Sequence, residues 1–471
     1  MRSHKYTLTD VLAMLAMLFV AIALVIPSIA KQRSLARQTQ CASNLKQIGL
    51  AIHNYSAAFN QLPRGLAGTV GGTDADSNQE RLGPLIAILP FMEEQPMWED
   101  IANPFVGART GKRFQAMGPA PWYDPDDYTP WSNAPGKYRC PESVDAVEPA
   151  DEPSPTIVTT LVMPPRGSVP GMMPSGNVAS NYVGCWGDGT QRQGELAKLN
   201  DNQAAMRQRA SMRGIFAGNR RMKFRDVLDG LNNTVLYCEA VSVADKDSSK
   251  SRIVNNIVGL AANPGLCLAA ADGSNPQWSD IGRGQRWNDG ALAISGFQTV
   301  LPPNAPSCLS ELGIDEPLVS ASSHHEGGVF VLMGSGAVTF VSDTIDCGNS
   351  NAPGVAIDDG FTPPGSSSPY GVWGAMGSRA NKESLELSPE NGIEPIELLP
   401  DRNRRNSRRH EDQQSVWTDS TGKLKLSAKF IRIIDRKTVE LEDARKILYR
   451  VPLNTLSDAD IYRAAMMSLT Q

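Results

Sequence analysis

Val11 to Ala30 reads VLAMLAMLFVAIALVIPSIA, 20 residues without a charge. As a helix rising about 1.5 Å per residue, such a run matches the hydrocarbon core of a bilayer, about 30 Å. It leads without a turn signal into KQRSLARQTQ, whereas a secretory signal peptide has a shorter apolar stretch and a small-residue cleavage site. The run therefore predicts a membrane-spanning helix; a cleaved signal and a buried core helix are the alternatives. The helical pattern continues beyond it. Leu35, Ala42, Leu45, Ile48, Gly49, Ile52 and Tyr55 recur at three- and four-residue steps, which is one apolar stripe on an amphipathic helix. Lys31, Arg33, Arg37 and Lys46 occupy polar positions between them. One continuous helix is expected from about Thr7 to Tyr55. Its first half would meet lipid, its second half would pack on a folded domain, and Pro27 would kink it by removing a backbone donor.

The chain has 471 residues and a formal net charge of −5, which excludes a generally basic nucleic-acid binder. Hydrophobic residues make up 41% and charged residues 20%, enough apolar content for a core and against wholesale disorder. The 41 Gly and 33 Pro predict many turns rather than a helical bundle. After Tyr55 short β-branched, alternating stretches dominate, among them TIVTTLVM, GVFVLM and AVTFVSD, between Gly- and Pro-rich joints. GVFVLMGSGAVTFV predicts a hairpin turning at Gly334-Ser335-Gly336, where glycine supplies positive φ. LDGLNNT has turn chemistry; Asp229, Asn232 and Glu239 also offer oxygens to Ca²⁺, but at no calcium-loop spacing. The domains expected are 1–30, leader and transmembrane helix; 31–381, an α+β domain; 382–414, a charged linker with five Arg between 402 and 409; and 415–471, a compact module of short strands closed by a helix capped at Ser457.

Catalytic signals are sparse. The seven cysteines, at 41, 140, 185, 238, 267, 308 and 347, show no C-x-x-C and no zinc spacing, and their connectivity does not follow from spacing. There is no nucleophile-elbow, zincin or P-loop motif. The five His, at 4, 53, 324, 325 and 410, leave few bases for a triad. The chain is therefore expected not to be an enzyme and to hold no cofactor and no metal. His324 is expected to be a solvated neighbour of a structural His325.

Three resemblances add to this. KYTLTD and the apolar run resemble the N-terminus of type IV prepilins and type II secretion pseudopilins, with Tyr6, Thr7, Leu8 and Asp10 on the positions of that motif. Lys5 stands where those families carry the Gly before the cleavage point, and Asp10 where they carry Glu. If the chain is cut before Tyr6, Asp10 can neutralise a neighbour's new ammonium inside a filament. If uncut, it is a solvated residue beside the span, and the missing Gly favours this second branch. Arg2 and Lys5 favour an N-inside orientation.

Over roughly residues 5 to 380 the chain resembles the DUF1559 family. The match is carried by CASNLKQIGLAIHNY, GPLIAILPFMEEQPMWEDI, YRCPES, SNYVGC and DVLDGLNNTVLYCEA. It continues through RWNDG with GFQTVLPPNAPSC, SASSHHEGGVFVLMGSGAVTFVSDTID and SPYGVWGAMGSRA. The family positions are Trp287, Asp289, Gly290, Pro302, Pro303, Asn304, Cys308, His325 and Gly336. The family has His, nine residues, then Asp-Gly; here Ser335 replaces that Asp, so a metal or ion-pair site at His325 would lose its carboxylate. Pairing of Cys267 with Cys308 and of Cys41 with Cys140 is expected because each flanks one of these blocks. Residues 415–471 resemble the SLA1 homology domain 1 (SHD1), an SH3-like barrel, through Trp417, Asp419, Gly422, Phe430, Pro452 and Leu456. The expected fold class is α+β: a long N-terminal transmembrane and amphipathic helix packed on a β-rich domain, either a pilin-like antiparallel sheet or a sandwich, then a small SH3-like β-barrel. The resemblances imply a single-pass inner-membrane protein with its bulk extracytoplasmic. It would be pseudopilin-like and structural or protein-binding, as in a pilus-like or type II secretion-like assembly. The alternative is a tethered carbohydrate- or peptide-binding module. The implied partners are membrane lipid, a homo- or hetero-assembly through the helix, and a protein or peptide ligand of the C-terminal module, with no nucleic acid.

Overall fold

The computed structural model describes residues 8–144, 179–194, 202–216, 218–243, 245, 249–273, 276–380, 393–395, 415–418, 425–434, 438–443, 448–452 and 455. They fall into two compact units, 1–396 and 397–471.

Helix α1 (Leu8–Phe59) is a single element of 52 residues, about 78 Å long at 1.5 Å per residue. It ends where Asn60 adopts a φ of 53° and returns its N–H to the Ser56 carbonyl at 2.8 Å, a left-handed cap that Asn tolerates. Cys41, Ala42, Leu45, Ile48, Ala51 and Ile52 are fully buried. The buried stripe thus begins at Cys41. Leu35, expected to belong to it, is 43% exposed, and Tyr55 is only half-buried. Among the described residues no helix is long and apolar enough to cross a membrane. The run Val11–Ala30, expected to do so, lies within α1. Apart from the exposed Met14, Met17 and Phe19, its side chains lie outside the described residues.

In the first unit the strands are β1 (Phe105–Val106), β2 (Arg113–Phe114), β3 (Tyr182–Cys185), β4 (Val235–Glu239), β5 (Arg252–Ile257), β6 (Trp278–Gly282), β7 (Gly296–Phe297), β8 (Ser307–Ser310), β9 (Gly313–Leu318), β10 (Gly328–Met333), β11 (Val338–Ser342) and β12 (Ile393–Pro395). The main sheet runs β12-β11-β10-β4-β3-β7, and a second sheet runs β6-β5-β8-β9. Neither is purely antiparallel, as a pilin-like sheet was expected to be: β3 pairs β7 and β5 pairs β8 in parallel. The hairpin is where the sequence put it, β10 against β11 with Gly336 at a φ of 87° in the turn. β10 is buried along its whole length, and successive residues serve opposite faces. Val329, Val331 and Met333 join a core with Phe297, Trp373 and Met376, whereas Leu332 meets α1 at Gly49, where an added Cβ would lie 2.8 Å from the leucine Cδ1. Glycine at that helical position lets the rod sit down on the sheet. The edge strand β12 falls inside the stretch expected to be linker: Ile393 pairs Val341 and Pro395 pairs Thr339. The run TIVTTLVM and the arginine cluster 402–409 lie outside the described residues.

In the second unit β13 (Ser415–Thr418), β14 (Lys425–Ile434), β15 (Thr438–Asp443) and β16 (Leu448–Pro452) form a four-stranded antiparallel meander, half of the barrel expected. Lys425–Ile434, in a stretch where short strands are expected, is one ten-residue strand with an irregularity between Phe430 and Arg432. The closing helix at Ser457 lies outside the described residues.

Candidate functional site

The first buried turn of α1 brings Cys41 against Cys140, which opens the short helix Pro141–Val144, and the two form a disulfide. Asn44, one turn on, donates from Nδ2 to the Arg139 carbonyl at 3.0 Å, and the Tyr182 hydroxyl donates to the Cys41 carbonyl at 3.3 Å. Two further groups close on the disulfide from the sheet. Glu239 is the last residue of β4; its Oε2 accepts the Phe330 N–H at 2.9 Å. Its Oε1 lies 3.1 Å from Nε2 of His325, which precedes β10. Cys140 Sγ is 3.9 Å from both that Oε1 and that Nε2. Cys41, Cys140, Glu239 and His325 are all buried, and their ligand-type atoms lie within 4.8 Å of one another. Phe330 covers the imidazole edge-on at 5.0 Å.

Burial alone would push the His325 pKa down, but the charge and hydrogen bond of Glu239 outweigh it and raise it above the ordinary imidazole value. The carboxylate beside His325 is therefore Glu239, not a residue at the turn. Position 335 lies at the far end of β10 from His325, about 20 Å away along a six-residue strand, so the Ser335 replacement costs this site nothing.

A polar cluster abuts it. Asp245 is 2% exposed and takes bonds from His324 Nε2 at 3.1 Å, Arg139 at 3.2 Å, Asn181 Nδ2 at 3.2 Å, the Ser242 N–H at 2.9 Å and the Ser143 hydroxyl. Burial would raise its pKa; the bonds from His324, Ser143 and Ser242 and the Arg139 charge prevail and hold it below the usual carboxylate range. His324, expected to be a solvated neighbour, is exposed, and it also reaches Asp245 through Nε2. Between the two groups is a cavity of about 10 Å³ touching Cys140, Glu239, Ser323 and His324, room for about one water. A larger open pocket of about 420 Å³ lies along α1 between Gln47, Leu50, Phe91, Met92, Glu93 and Lys137.

The remaining residues singled out in the sequence are scattered and structural. Asp289 is fully buried between Arg81, at 2.8 Å, and Arg286, at 3.2 Å. Gly290 sits where a Cβ would lie 2.6 Å from the Gly65 carbonyl. Trp287 packs against Trp131 and Tyr138. Asn304, at a φ of 63°, donates to Asp343 at 2.6 Å and accepts the Ser323 N–H at 2.9 Å. Pro302 accepts the Ala305 N–H, and Pro303 is buried beside it. Cys308 is bonded to Cys267 within a second core. Cys185 and Cys238 are buried free thiols, and Cys347 is a half-buried one. Asp229 is bonded by Ser378, so it and Glu239 serve different partners rather than one calcium loop. Trp417 pairs Leu426, Phe430 pairs Leu441 and Pro452 pairs Thr438 in the meander. Lys5, Tyr6, Asp419, Gly422 and Leu456, and the side chain of Asp10, lie outside the described residues.

The sequence reading missed Asp245, and it named Glu239 only as an oxygen for Ca²⁺ and not as the partner of His325. A signal existed for Glu239: VLYCE ends an otherwise uncharged strand with a carboxylate, and a buried charge requires a partner. A family model described as a protein of unknown function (DUF1559) matches residues 30–348. No curated protein and no solved structure matches the chain.

Proposed function

The chain belongs to the DUF1559 family, and from that premise we propose that it is a membrane-anchored, pseudopilin-like envelope protein with a structural or protein-binding role and no catalytic activity. The observation that carries this reading is α1. It is one unbroken helix whose turns from Cys41 on are riveted to the domain, and whose preceding turns contain the uncharged run Val11–Ala30. A run of that length in a helix is suited to a bilayer. Two disulfides favour a compartment outside the reducing cytoplasm. The meander β13–β16 is consistent with an SHD1-like module that binds a protein or peptide.

An enzymatic topology reporter fused after Ala380 of the chain tests the placement. Extracytoplasmic activity with membrane-fraction recovery is expected; a cytoplasmic reporter would sink the proposal. N-terminal sequencing of the same material separates the two fates of the leader. A start at Tyr6 means pilin-type processing, and a start at Met1 means a plain anchor.

The second reading, a tethered carbohydrate- or peptide-binding module, draws on the open pocket beside Leu50 and Phe91, whose about 420 Å³ falls within the size range of ligand sites. Glycan or peptide arrays probed with the full chain in detergent favour it if a ligand is retained and is lost in Leu50→Glu.

A further inference from the structure

We propose that Cys41, Cys140, Glu239 and His325 form a zinc site when the Cys41–Cys140 bond is reduced, so that the place where α1 enters the domain is closed either by a disulfide or by a metal ion. This goes beyond the anchor reading and does not depend on it.

The donor set is two thiolates, one imidazole and one carboxylate, the ligand types and number of a tetrahedral zinc site. Zinc bonds of about 2.0–2.3 Å place ligand atoms about 3.3–3.8 Å apart at tetrahedral angles. Three of the edges here are already near that: Cys140 Sγ to His325 Nε2 and to Glu239 Oε1, both 3.9 Å, and Nε2 to Oε1, 3.1 Å. All four residues are buried and come from four separate segments, so the fold assembles the set, not a local motif. Glu239 is oriented by the Phe330 N–H on its other oxygen, at 2.9 Å, the outer-shell support that metal ligands use. The cavity of about 10 Å³ against Cys140 and Glu239 leaves room for about one water beside the cluster. The free cysteines are elsewhere: Cys185 and Cys238 lie in the apolar core.

The conversion balances with a dithiol as reductant. The dithiol loses two electrons and two protons and becomes a disulfide, while Cys41 and Cys140 gain them and become two thiols. Zinc then displaces both thiol protons and binds the neutral imidazole and the carboxylate. Once the sulfur–sulfur bond is broken, the two sulfurs are free to separate to the tetrahedral edge length.

Cobalt(II) titration of the full chain tests this, because tetrahedral Co²⁺ with thiolate ligands gives a thiolate-to-metal charge-transfer band and intense visible d–d bands. Reduced and alkylation-free protein is expected to develop both, with one ion bound per chain and displaceable by zinc. The disulfide form is expected to show neither. Glu239→Gln should keep the disulfide fold and weaken cobalt binding at least about tenfold in the reduced form. Cys41→Ser with Cys140→Ser should abolish the charge-transfer band, whereas Cys185→Ser and Cys347→Ser should leave it. The proposal is overturned if reduced wild-type chain, with its native circular dichroism retained, takes up no cobalt, or if the bands survive in the Cys41/Cys140 double variant. Loss of the native spectrum on reduction overturns it too, since a site that cannot outlive the disulfide is no alternative closure.

Discussion

At the scale of single residues, four positions are expected to respond for different physical reasons. Gly290 has backbone on both sides of its missing Cβ, with the Gly65 carbonyl at 2.6 Å and Gly83 Cα at 2.9 Å. Gly290→Ala should therefore destabilise by about 1–3 kcal/mol. Gly49→Ala should cost less, because its obstacle is the end of the Leu332 side chain. The midpoints of their urea transitions decide the order. Asp289→Asn leaves the Arg81 and Arg286 guanidinium groups without their buried counter-charge, which should cost about 3–5 kcal/mol. Asp245 sets the acid limb. Its folded pKa lies below the unfolded value of about 3.9. Its contribution is therefore complete above that pH and is lost as the pH falls through the folded pKa. Asp245→Asn should flatten the stability–pH curve in that acid window and lower stability at neutral pH. An unchanged acid limb in that variant would contradict the assignment.

At the scale of elements, the periodic parts of the sequence were readable and the partnerships were not. The helix and the β10–β11 hairpin announce themselves through three- and four-residue steps and through alternation around Gly334-Ser335-Gly336, signals confined to neighbouring residues. The extent of burial was misread at Leu35, because a stripe says which face is apolar and not how far along it is covered. Glu239 and His325 are 86 positions apart, and nothing local reports that β4 and β10 are adjacent in the sheet. The strand pairings β3–β7 and β5–β8 are long-range in the same way. The cysteine pairs named from the sequence are those joined, but they came from the family blocks that flank them rather than from spacing. The staple has an element-level consequence. It closes a loop with a sequence separation of 99, against 41 for Cys267–Cys308. Chain-entropy reasoning gives about 5 and about 4 kcal/mol for the two. Cys41→Ala with Cys140→Ala should therefore be the more damaging pair and should raise amide exchange along Cys41–Phe59 selectively. Equal exchange along that stretch before and after would show that packing such as that at Gly49 holds the helix without help.

At the scale of the whole molecule, the first unit contains its own cores and its own edge strand β12, and the second is compact by itself. Deleting residues 397–471 should leave the calorimetric transition of the first unit in place, and a lowered transition would mean that the units share stabilising contacts. The rivet at Cys41 has a mechanical meaning for a chain held by its N-terminal rod and tugged at its other end. Tension arriving along the rod crosses directly from residue 41 to residue 140, so everything between them is bypassed and carries no load. In a single-molecule stretching trace that segment's hidden length, about 340 Å for a separation of 99 residues, should be missing from the unravelled contour and should appear only after a reducing agent is added.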